Sequence, residues 1–302
     1  MNIAGKLALI TVLLAATARA QESNSSPRWL ENLALSASAA AGWTDNLSRT
    51  SYAPTRRDAA TYELGLSAVR HQQLAPDWLL QAGAEADFLS VPRYDRAGKF
   101  ELGPRLGLQR KFGLGPMAPV LQFDAAYKYK AARIAADTGW TAEAGLRLAK
   151  RLTPALKVAA SGRWLEHYAR RATFDIQQRT FSVDATWSLS ERWQLSGSAG
   201  RLSGRIVANA AWSVWAQAIG GGLGPTVFNY YNSIPWEVTD SYGPGWVSYN
   251  VEAHANLWSL ALSCALSERT TLELRTSSIY VINKIDIRYP TDSWGVSLTH
   301  RF

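Results

Sequence analysis

Apolar and polar residues alternate along most of the chain with a period of two, which is the period of a β-strand. The last ten residues show the pattern clearly. Trp294, Val296, Leu298, His300 and Phe302 fall on one side of an extended chain, and small or polar residues alternate with them. The alternation recurs in segments of roughly ten residues or more, the length that a tilted strand needs to cross a bilayer. The pattern predicts an all-β chain of about twelve strands.

The connections between these strands differ in length in a regular way. Short turns follow the second, sixth, eighth and tenth predicted strands, with the sequences LAPDW, LTPAL, LSERW and LSERT, and GLGPMAP follows the fourth. Longer, more polar or irregular connections follow the odd-numbered strands. An even number of strands with short turns on one rim and longer loops on the other is typical of an antiparallel up-and-down membrane barrel.

The residue types on the two faces indicate which face meets lipid. One face carries Leu, Phe, Trp and Tyr, and the other carries Gly, Ser, Glu, Arg and Lys. A soluble β-sandwich or lipocalin-like barrel would bury the large apolar face and expose the polar one. Here so many inward charges would be too costly in a dry core. Thirteen Trp and twelve Tyr also suit the aromatic girdles of a barrel. The fold class predicted is a transmembrane antiparallel up-and-down β-barrel.

The first twenty residues have the features of a secretory signal. Lys6 supplies a basic start, residues 7–16 are apolar, and Ala18-Arg19-Ala20 offers a cleavage site. We therefore predict a signal peptide at 1–20, a short periplasmic tail at 21–30 and a barrel at 31–302. Cleavage would remove two bases and no acid, so the formal charge would fall from +8 to +6. The absence of a second long apolar run excludes a bundle of membrane-spanning helices.

Several other classes of protein are disfavoured by composition. The single cysteine, Cys264, excludes a disulfide framework, and it sits among apolar alternating residues as a small filler. The four histidines lie on different predicted strands without metal-ligand spacing. The basic residues alternate with apolar ones and form no run, which argues against nucleic-acid binding. We predict no cofactor and no metal.

Twelve charged residues are predicted to face the lumen. Acids dominate the second to fourth strands and bases dominate the fourth to seventh. An open pore with this distribution would have a transverse field and would select charged or dipolar solutes, with anions favoured. Alternatively, the charges pair across neighbouring strands and fill the lumen. The predicted lumen residues are Glu63, Glu85, Asp87, Glu101, Arg105, Asp124, Lys128, Lys130, Glu143, Arg147, Lys157 and Arg163.

A long aromatic and glycine-rich loop is predicted at about 209–245. A loop of this length in a compact fold is usually functional. Folded into the pore, it would form a constriction or offer aromatic faces to a sugar; alternatively, it is a surface loop with aromatic residues at the membrane interface. Its candidate aromatic residues are Trp212, Trp215, Phe228, Tyr230, Tyr231 and Trp236.

The alternating strands, the short and long connections, the export signal and the closing strand ending in Phe302 together resemble Gram-negative outer-membrane β-barrels. The resemblance implies an outer-membrane location, contact with lipid, and recognition of the terminal aromatic residue by the barrel-assembly machinery. Residues 41–50, AGWTDNLSRT, are similar to a Gly-aromatic-x-Asp-Asn stretch of putative β-barrel porins associated with polysaccharide export, which tend to be longer. This implies a porin-like passive channel for small anionic or sugar-like solutes, or a role in export.

Two other functional classes are an outer-membrane enzyme and a structural or adhesive barrel. Outer-membrane lipid hydrolases use a His-x-Ser pair and protease barrels use an Asp-x-His pair, and neither occurs in this sequence. The nearest arrangement, His254 and Asn256, lacks a nucleophile. We therefore predict no enzymatic activity. A structural or adhesive barrel with a plugged lumen remains an alternative.

Overall fold

A computed structural model describes residues 33–302. The predicted signal peptide, the periplasmic tail and residues 31–32 lie outside the described residues. The strands are β1 Leu33–Thr44, β2 Ala59–Ala75, β3 Trp78–Ser90, β4 Lys99–Lys111, β5 Val120–Ala132, β6 Gly139–Arg151, β7 Leu156–Ala169, β8 Ile176–Ser188, β9 Trp193–Ala211, β10 Trp236–Val238, β11 Trp246–Ala265, β12 Thr270–Asn283 and β13 Arg288–Arg301.

Twelve of these strands close into one antiparallel barrel. Each strand from β1 to β9 pairs with the next, β9 pairs with β11, and the sheet continues through β12 and β13. Closure comes from pairing of β13 with β1, in which Ala37 lies opposite His300 and Trp43 lies opposite Trp294. The three-residue β10 adds only to the edge of β11. The predicted fold class, a barrel of about twelve strands, is confirmed.

The connections divide between the two rims nearly as the sequence predicts. One rim carries the turns 76–77, 152–155, 189–192 and 266–269 and the longer 112–119 connection. The other rim carries the connections 45–58, 91–98, 133–138, 170–175, 212–245 and 284–287. The last of these is short, because β12 and β13 form a hairpin. We call the opening at this second rim the mouth.

Large apolar side chains cover the outside of the barrel. Leu102, Val183 and Leu274 are each about half exposed, as are many of their counterparts on other strands. Stacked aromatic pairs such as Trp43 with Trp294 lie near the mouth end of this band. Such a band flanked by aromatic residues is what a bilayer would cover. Among residues 33–302, no helix is long and apolar enough to span a membrane.

The alternation of β9 changes near Arg201, and a loss of alternation within a strand predicts a β-bulge. The pairing of β9 with β11 runs from Trp193 to Ala211 without a change of register. What changes is the polarity of the faces: beyond Arg201 the inward face becomes apolar, with Leu202 and Ile206, and the outward face becomes polar. We infer that this inversion marks where the two strands leave the apolar band and continue as a two-stranded ribbon.

The predicted loop at 209–245 is largely ordered secondary structure. Residues 209–211 belong to β9, and the segment continues as helix α1, Trp212–Ile219, and helix α2, Pro225–Ser233. Proline occupies the first turn of α2, where its missing N–H costs nothing. The glycines between the helices include Gly221 and Gly224, which have positive φ angles of 85° and 91° and end one helix before the next begins. A period of two is the signal of a strand, so it does not predict these two short helices.

Candidate functional site

The charged residues predicted for the lumen lie on β2 to β7, on the face opposite the exposed apolar residues. Within residues 33–302, Glu63 and Lys157 have no ion pair, and the other ten are paired. The paired residues are Glu85, Asp87, Glu101, Arg105, Asp124, Lys128, Lys130, Glu143, Arg147 and Arg163. Cross-strand pairing therefore accounts for most of the inward charge.

Lys128 is at the centre of the most connected group. Its Nζ lies 2.9 Å from a carboxylate oxygen of Glu85 and 2.9 Å from one of Asp87. Arg105 also binds Glu85, and its second nitrogen lies 3.5 Å from Asp124. The Lys128 side chain is only 11% exposed. These five residues form one network on the wall made by β3, β4 and β5.

A glycine on β4 allows a side chain on β5 to contact carboxylates on β3. Gly103 on β4 lies opposite Glu85 on β3. A Cβ atom at Gly103 would approach the Lys128 Cα to 2.6 Å and the Tyr127 carbonyl oxygen to 2.0 Å. Because Gly103 has no side chain, Lys128 on β5 can reach over β4 to the carboxylates on β3.

The remaining ion pairs are distributed along the lumen wall. Several of these side chains keep substantial exposure, as Arg163 does at 58%. The pairs are Lys99–Glu101 at 3.0 Å, Lys130–Asp137 at 2.7 Å, Arg147–Asp184 at 3.4 Å, Arg163–Glu143, and Arg275–Glu273 at 3.1 Å. Paired but solvated charges suit the wall of a wet lumen better than the interior of a dry plug.

One Thr–His–Asp arrangement occurs beside these pairs. Thr141 Oγ1 lies 3.0 Å from Nδ1 of His167, and Nε2 of His167 lies 3.3 Å from Asp137 Oδ1. His167 is 2% exposed and Thr141 is 6% exposed, so a substrate has no access to the hydroxyl. Lys130 also binds the same Asp137 oxygen. The arrangement is a buried polar network that fixes the β5–β6 connection.

The lumen retains free volume despite the ion pairs. A cavity of about 720 Å³ is bordered by β1 to β3, β7 to β9 and β11 to β13, and by Asn46, Leu47 and Arg49 of the β1–β2 connection. A second cavity of about 390 Å³ lies beside Glu63, Asp87 and Glu101. We call the larger cavity the chamber. It lies below the mouth, and none of the five residues of the Lys128 network borders it.

At the mouth, α1 and α2 cover one face of the β9–β11 ribbon. Trp215 of α1 is 1% exposed and stacks on Tyr249 of β11 with 4.7 Å between ring centroids. Tyr231 of α2 packs edge-on against both rings, at 5.2 Å and 5.5 Å. Side chains alternate between the two faces of β11, and Trp258 is exposed on the outside of the barrel. Tyr249 is nine positions away, an odd number, so it lies on the inward-facing side. The helices therefore pack on the apolar face that continues upward from the lumen wall.

The opposite face of the ribbon contacts loops from other parts of the barrel. Asn209 of β9 donates hydrogen bonds to the Ser48 carbonyl oxygen from its backbone N–H, at 3.1 Å, and from its side chain, at 3.2 Å. Its Oδ1 accepts a 2.6 Å bond from Ser248, whose hydroxyl lies 2.7 Å from that of Thr239. Asn46, fully buried, donates to the Pro290 carbonyl oxygen at 3.0 Å. These five polar residues, Asn46, Ser48, Asn209, Thr239 and Ser248, form what we call the mouth cluster.

Connections from the far wall also reach the ribbon segment. Arg96, between β3 and β4, donates to the Thr239 carbonyl oxygen at 2.7 Å. Tyr94 packs edge-on against Tyr242 at 5.2 Å, and Tyr242 donates to the Leu47 carbonyl oxygen at 2.9 Å. Burial raises the pKa of Tyr242 to about 12, so its hydroxyl remains a donor at neutral pH. Because β3–β4 lies opposite β9–β11 in the ring of strands, these contacts span the mouth.

The predicted loop aromatic residues have different environments. Trp215 and Tyr231 are buried between helix and ribbon, whereas Trp212, Phe228 and Trp236 are partly exposed. Trp236 packs against both Trp212 and Trp215, at 6.3 Å and 5.5 Å. None of the six borders the chamber or the second cavity. The segment lies at the mouth, and its buried rings pack between helix and ribbon. A role of the exposed rings in a constriction or in sugar binding stays a prediction.

Sequence reasoning did not identify the mouth cluster as a unit. Asn46 and Ser48 belong to the Asp-Asn-x-Ser stretch noted for its resemblance to porins, but their partners lie far along the chain, near residues 209, 248 and 290. Three small polar residues in or beside β9 and β11, Asn209, Thr239 and Ser248, were the available signal, because such residues in apolar surroundings need hydrogen-bond partners.

We expect the acids of the lumen to control ion selectivity. Replacing Glu85, Asp87 and Glu101 together by their amides leaves Arg105 and Lys128 without most of their counter-charge, so anion preference should rise. Reversal potentials measured in a KCl gradient should shift toward the chloride potential. Glu268→Gln, in the β11–β12 turn, is the control and should leave them unchanged. Equal reversal potentials for the triple variant and the wild type would remove these residues from the permeation path.

Comparisons with known proteins give information on the fold. No protein-family model matches the sequence, and no curated protein sequence is significantly similar to it. Among solved structures, an outer-membrane channel from Pseudomonas putida F1 superposes with a TM-score of 0.59 at 10% identity, covering 93% of this chain and 98% of that one. The KdgM and NanC porins give TM-scores of 0.44 and 0.46 at 9% and 10% identity, each over 88% of this chain and 99% and 100% of theirs. The chain therefore has the fold of the outer-membrane β-barrels, in a twelve-stranded form.

Proposed function

We propose that the protein is an outer-membrane barrel that acts as a passive channel for small solutes. The observation that carries this proposal is a lumen with a chamber of about 720 Å³ and solvated charged walls, below a mouth that loops partly cover. The similarity in fold to a protein described as an outer-membrane channel supports it. Small anionic or sugar-like solutes, as well as polysaccharide-associated export, remain the solute classes expected from the sequence.

The location and partners belong to the same proposal. The apolar outer band would contact outer-membrane lipid, the rim with the long connections would face outward, and an N-terminal signal would direct export. We propose that the barrel-assembly machinery recognises Phe302, whose N–H binds the Leu35 carbonyl oxygen at 3.0 Å. Phe302→Ala should reduce the amount of folded barrel in the membrane, measured by heat-modifiable gel mobility. Wild-type amounts would contradict this recognition.

Channel activity can be tested by solute entry into vesicles. Liposomes containing the refolded protein should swell in isotonic arabinose faster than empty liposomes, and should swell far less in a large oligosaccharide. Heat-modifiable mobility on gels would verify that the barrel has folded. Swelling in arabinose no faster than that of empty liposomes would contradict the channel.

A structural or adhesive barrel is the second candidate. The extensive ion pairing of the lumen and the loops that span the mouth favour it. It predicts a folded, stable barrel with no solute entry. We propose no enzymatic role, because the Thr141–His167–Asp137 arrangement is buried away from any substrate.

A further inference from the structure

The chamber has an unusually apolar wall for a barrel lumen. Leu202 on β9 lies opposite Ala255 on β11, which in turn lies opposite Val281 on β12. One level further from the mouth, Leu257 lies opposite Ile279. All five border the chamber, and Ile279 is 39% exposed although it is on the inward face. Together they form a continuous aliphatic surface across three strands.

The wall on the next strands is polar. Ser277 of β12 lies opposite Ser293 of β13, which lies opposite Thr44 of β1. Thr61 and Glu63 of β2 continue this surface around the chamber. A solute in the chamber therefore meets aliphatic side chains on one side. On the other side it meets hydroxyl groups, the Glu63 carboxylate and the Arg275–Glu273 ion pair. This asymmetry suits a molecule with an apolar body and a polar end.

Arg49 supplies a cation where the chamber meets the mouth. It borders the chamber, and within residues 33–302 its guanidinium has no ion pair or hydrogen bond. Its charge is near enough to interact electrostatically with the hydroxyls of Tyr242 and Tyr289. Its φ angle is 54°, and its N–H binds the Asn46 carbonyl oxygen at 3.0 Å. A left-handed conformation is uncommon for a residue other than glycine, and such residues cluster at active sites and ligand-binding sites.

We propose that the chamber binds small amphipathic organic acids, with the carboxylate at Arg49 and the apolar body against Leu202, Leu257 and Ile279. The inference rests on the proposed channel function and narrows its solute class. Arginine binds carboxylates through paired, charge-assisted hydrogen bonds. The aliphatic wall gains from covering its surface, at about 25 cal/mol for each Å². Sugars are less well suited, because the buried rings of Trp215 and Tyr231 are not available for stacking.

Binding can be measured separately from conduction. Isothermal titration of the detergent-solubilised barrel with sodium benzoate should show saturable binding, and gluconate, an equally charged polyhydroxylated acid, should bind at least tenfold more weakly. Arg49→Asn should weaken benzoate binding by about tenfold, because asparagine tolerates the left-handed backbone but has no charge. It should leave the binding of neutral benzyl alcohol unchanged. Arg49→Lys, which keeps the charge, should retain most of the affinity, and Leu257→Ser should weaken both ligands.

The control is Lys157→Gln, which removes an unpaired lumen base distant from the chamber and should change neither affinity. Benzoate binding equal to that of gluconate, or unchanged in Arg49→Asn with folding verified, would overturn the inference. If the barrel conducts KCl but does not bind benzoate, the inference fails and the channel function stands. If it binds benzoate without conducting, the proposed channel function fails and the binding inference stands.

Discussion

Trp215→Ala should release the helical segment from the ribbon while the barrel stays folded. Trp215 is 1% exposed and touches Tyr231, Trp236 and Tyr249, and truncating a buried Trp to Ala costs about 3–5 kcal/mol. Two short helices have little intrinsic stability to offset that loss. Residues 206–268 contain no Lys or Arg, so chymotrypsin is the suitable protease. The segment should become a site of rapid chymotryptic cleavage in the folded, membrane-inserted variant.

Trp212→Ala is the matched control for this experiment. Trp212 begins the same helix but is 46% exposed, and its ring contact is with Trp236 at 6.3 Å. We expect its cleavage rate to stay close to that of the wild type. If Trp215→Ala were cleaved no faster than Trp212→Ala, the buried cluster would not be what holds the segment at the mouth.

Lys128→Met should reduce the free energy of unfolding of the barrel by about 3 kcal/mol, because removing one partner of a buried ion pair leaves the other charge uncompensated. Two carboxylates, those of Glu85 and Asp87, would lose their shared cation. Urea unfolding of the protein in lipid vesicles, followed by tryptophan fluorescence, gives the free energy. The midpoint should fall without a large change in slope.

Lys157→Met is the control for Lys128→Met. Lys157 is exposed and has no ion pair within the described part of the chain. A surface substitution of this kind usually changes stability by less than about 0.5 kcal/mol. Equal stabilities of the two variants would show that the Lys128 network contributes little to holding β3, β4 and β5 together.

The sequence is most informative where one physical rule acts on a whole strand. Period-two alternation located all twelve barrel strands, because lipid outside and water inside impose opposite polarity on successive residues. The same rule placed Glu85 and Lys128 on the inward face. It could not pair them, because the contact depends on Gly103 lying between their strands.

The mouth follows rules that alternation does not capture. Beyond Arg201 the β9–β11 ribbon leaves the apolar band, so its inward face becomes apolar and its outward face polar. Helices α1 and α2 pack on the apolar face. The contact of Asn209 with Ser48 joins residues 161 positions apart, and nothing local in the sequence specifies it. For the same reason the aliphatic wall of the chamber and the position of Arg49 emerge only from the three-dimensional structure.

The most direct test of the channel is single-channel recording from the refolded protein, residues 21–302, in a planar bilayer. We expect stable, stepwise KCl currents of small amplitude, because the mouth cluster and the ribbon narrow the opening. The Trp215→Ala variant should give larger current steps. Channels should appear only with protein whose folding is verified by heat-modifiable mobility. Complete absence of current from such protein, in wild type and in Trp215→Ala alike, would contradict the channel and favour a plugged structural barrel.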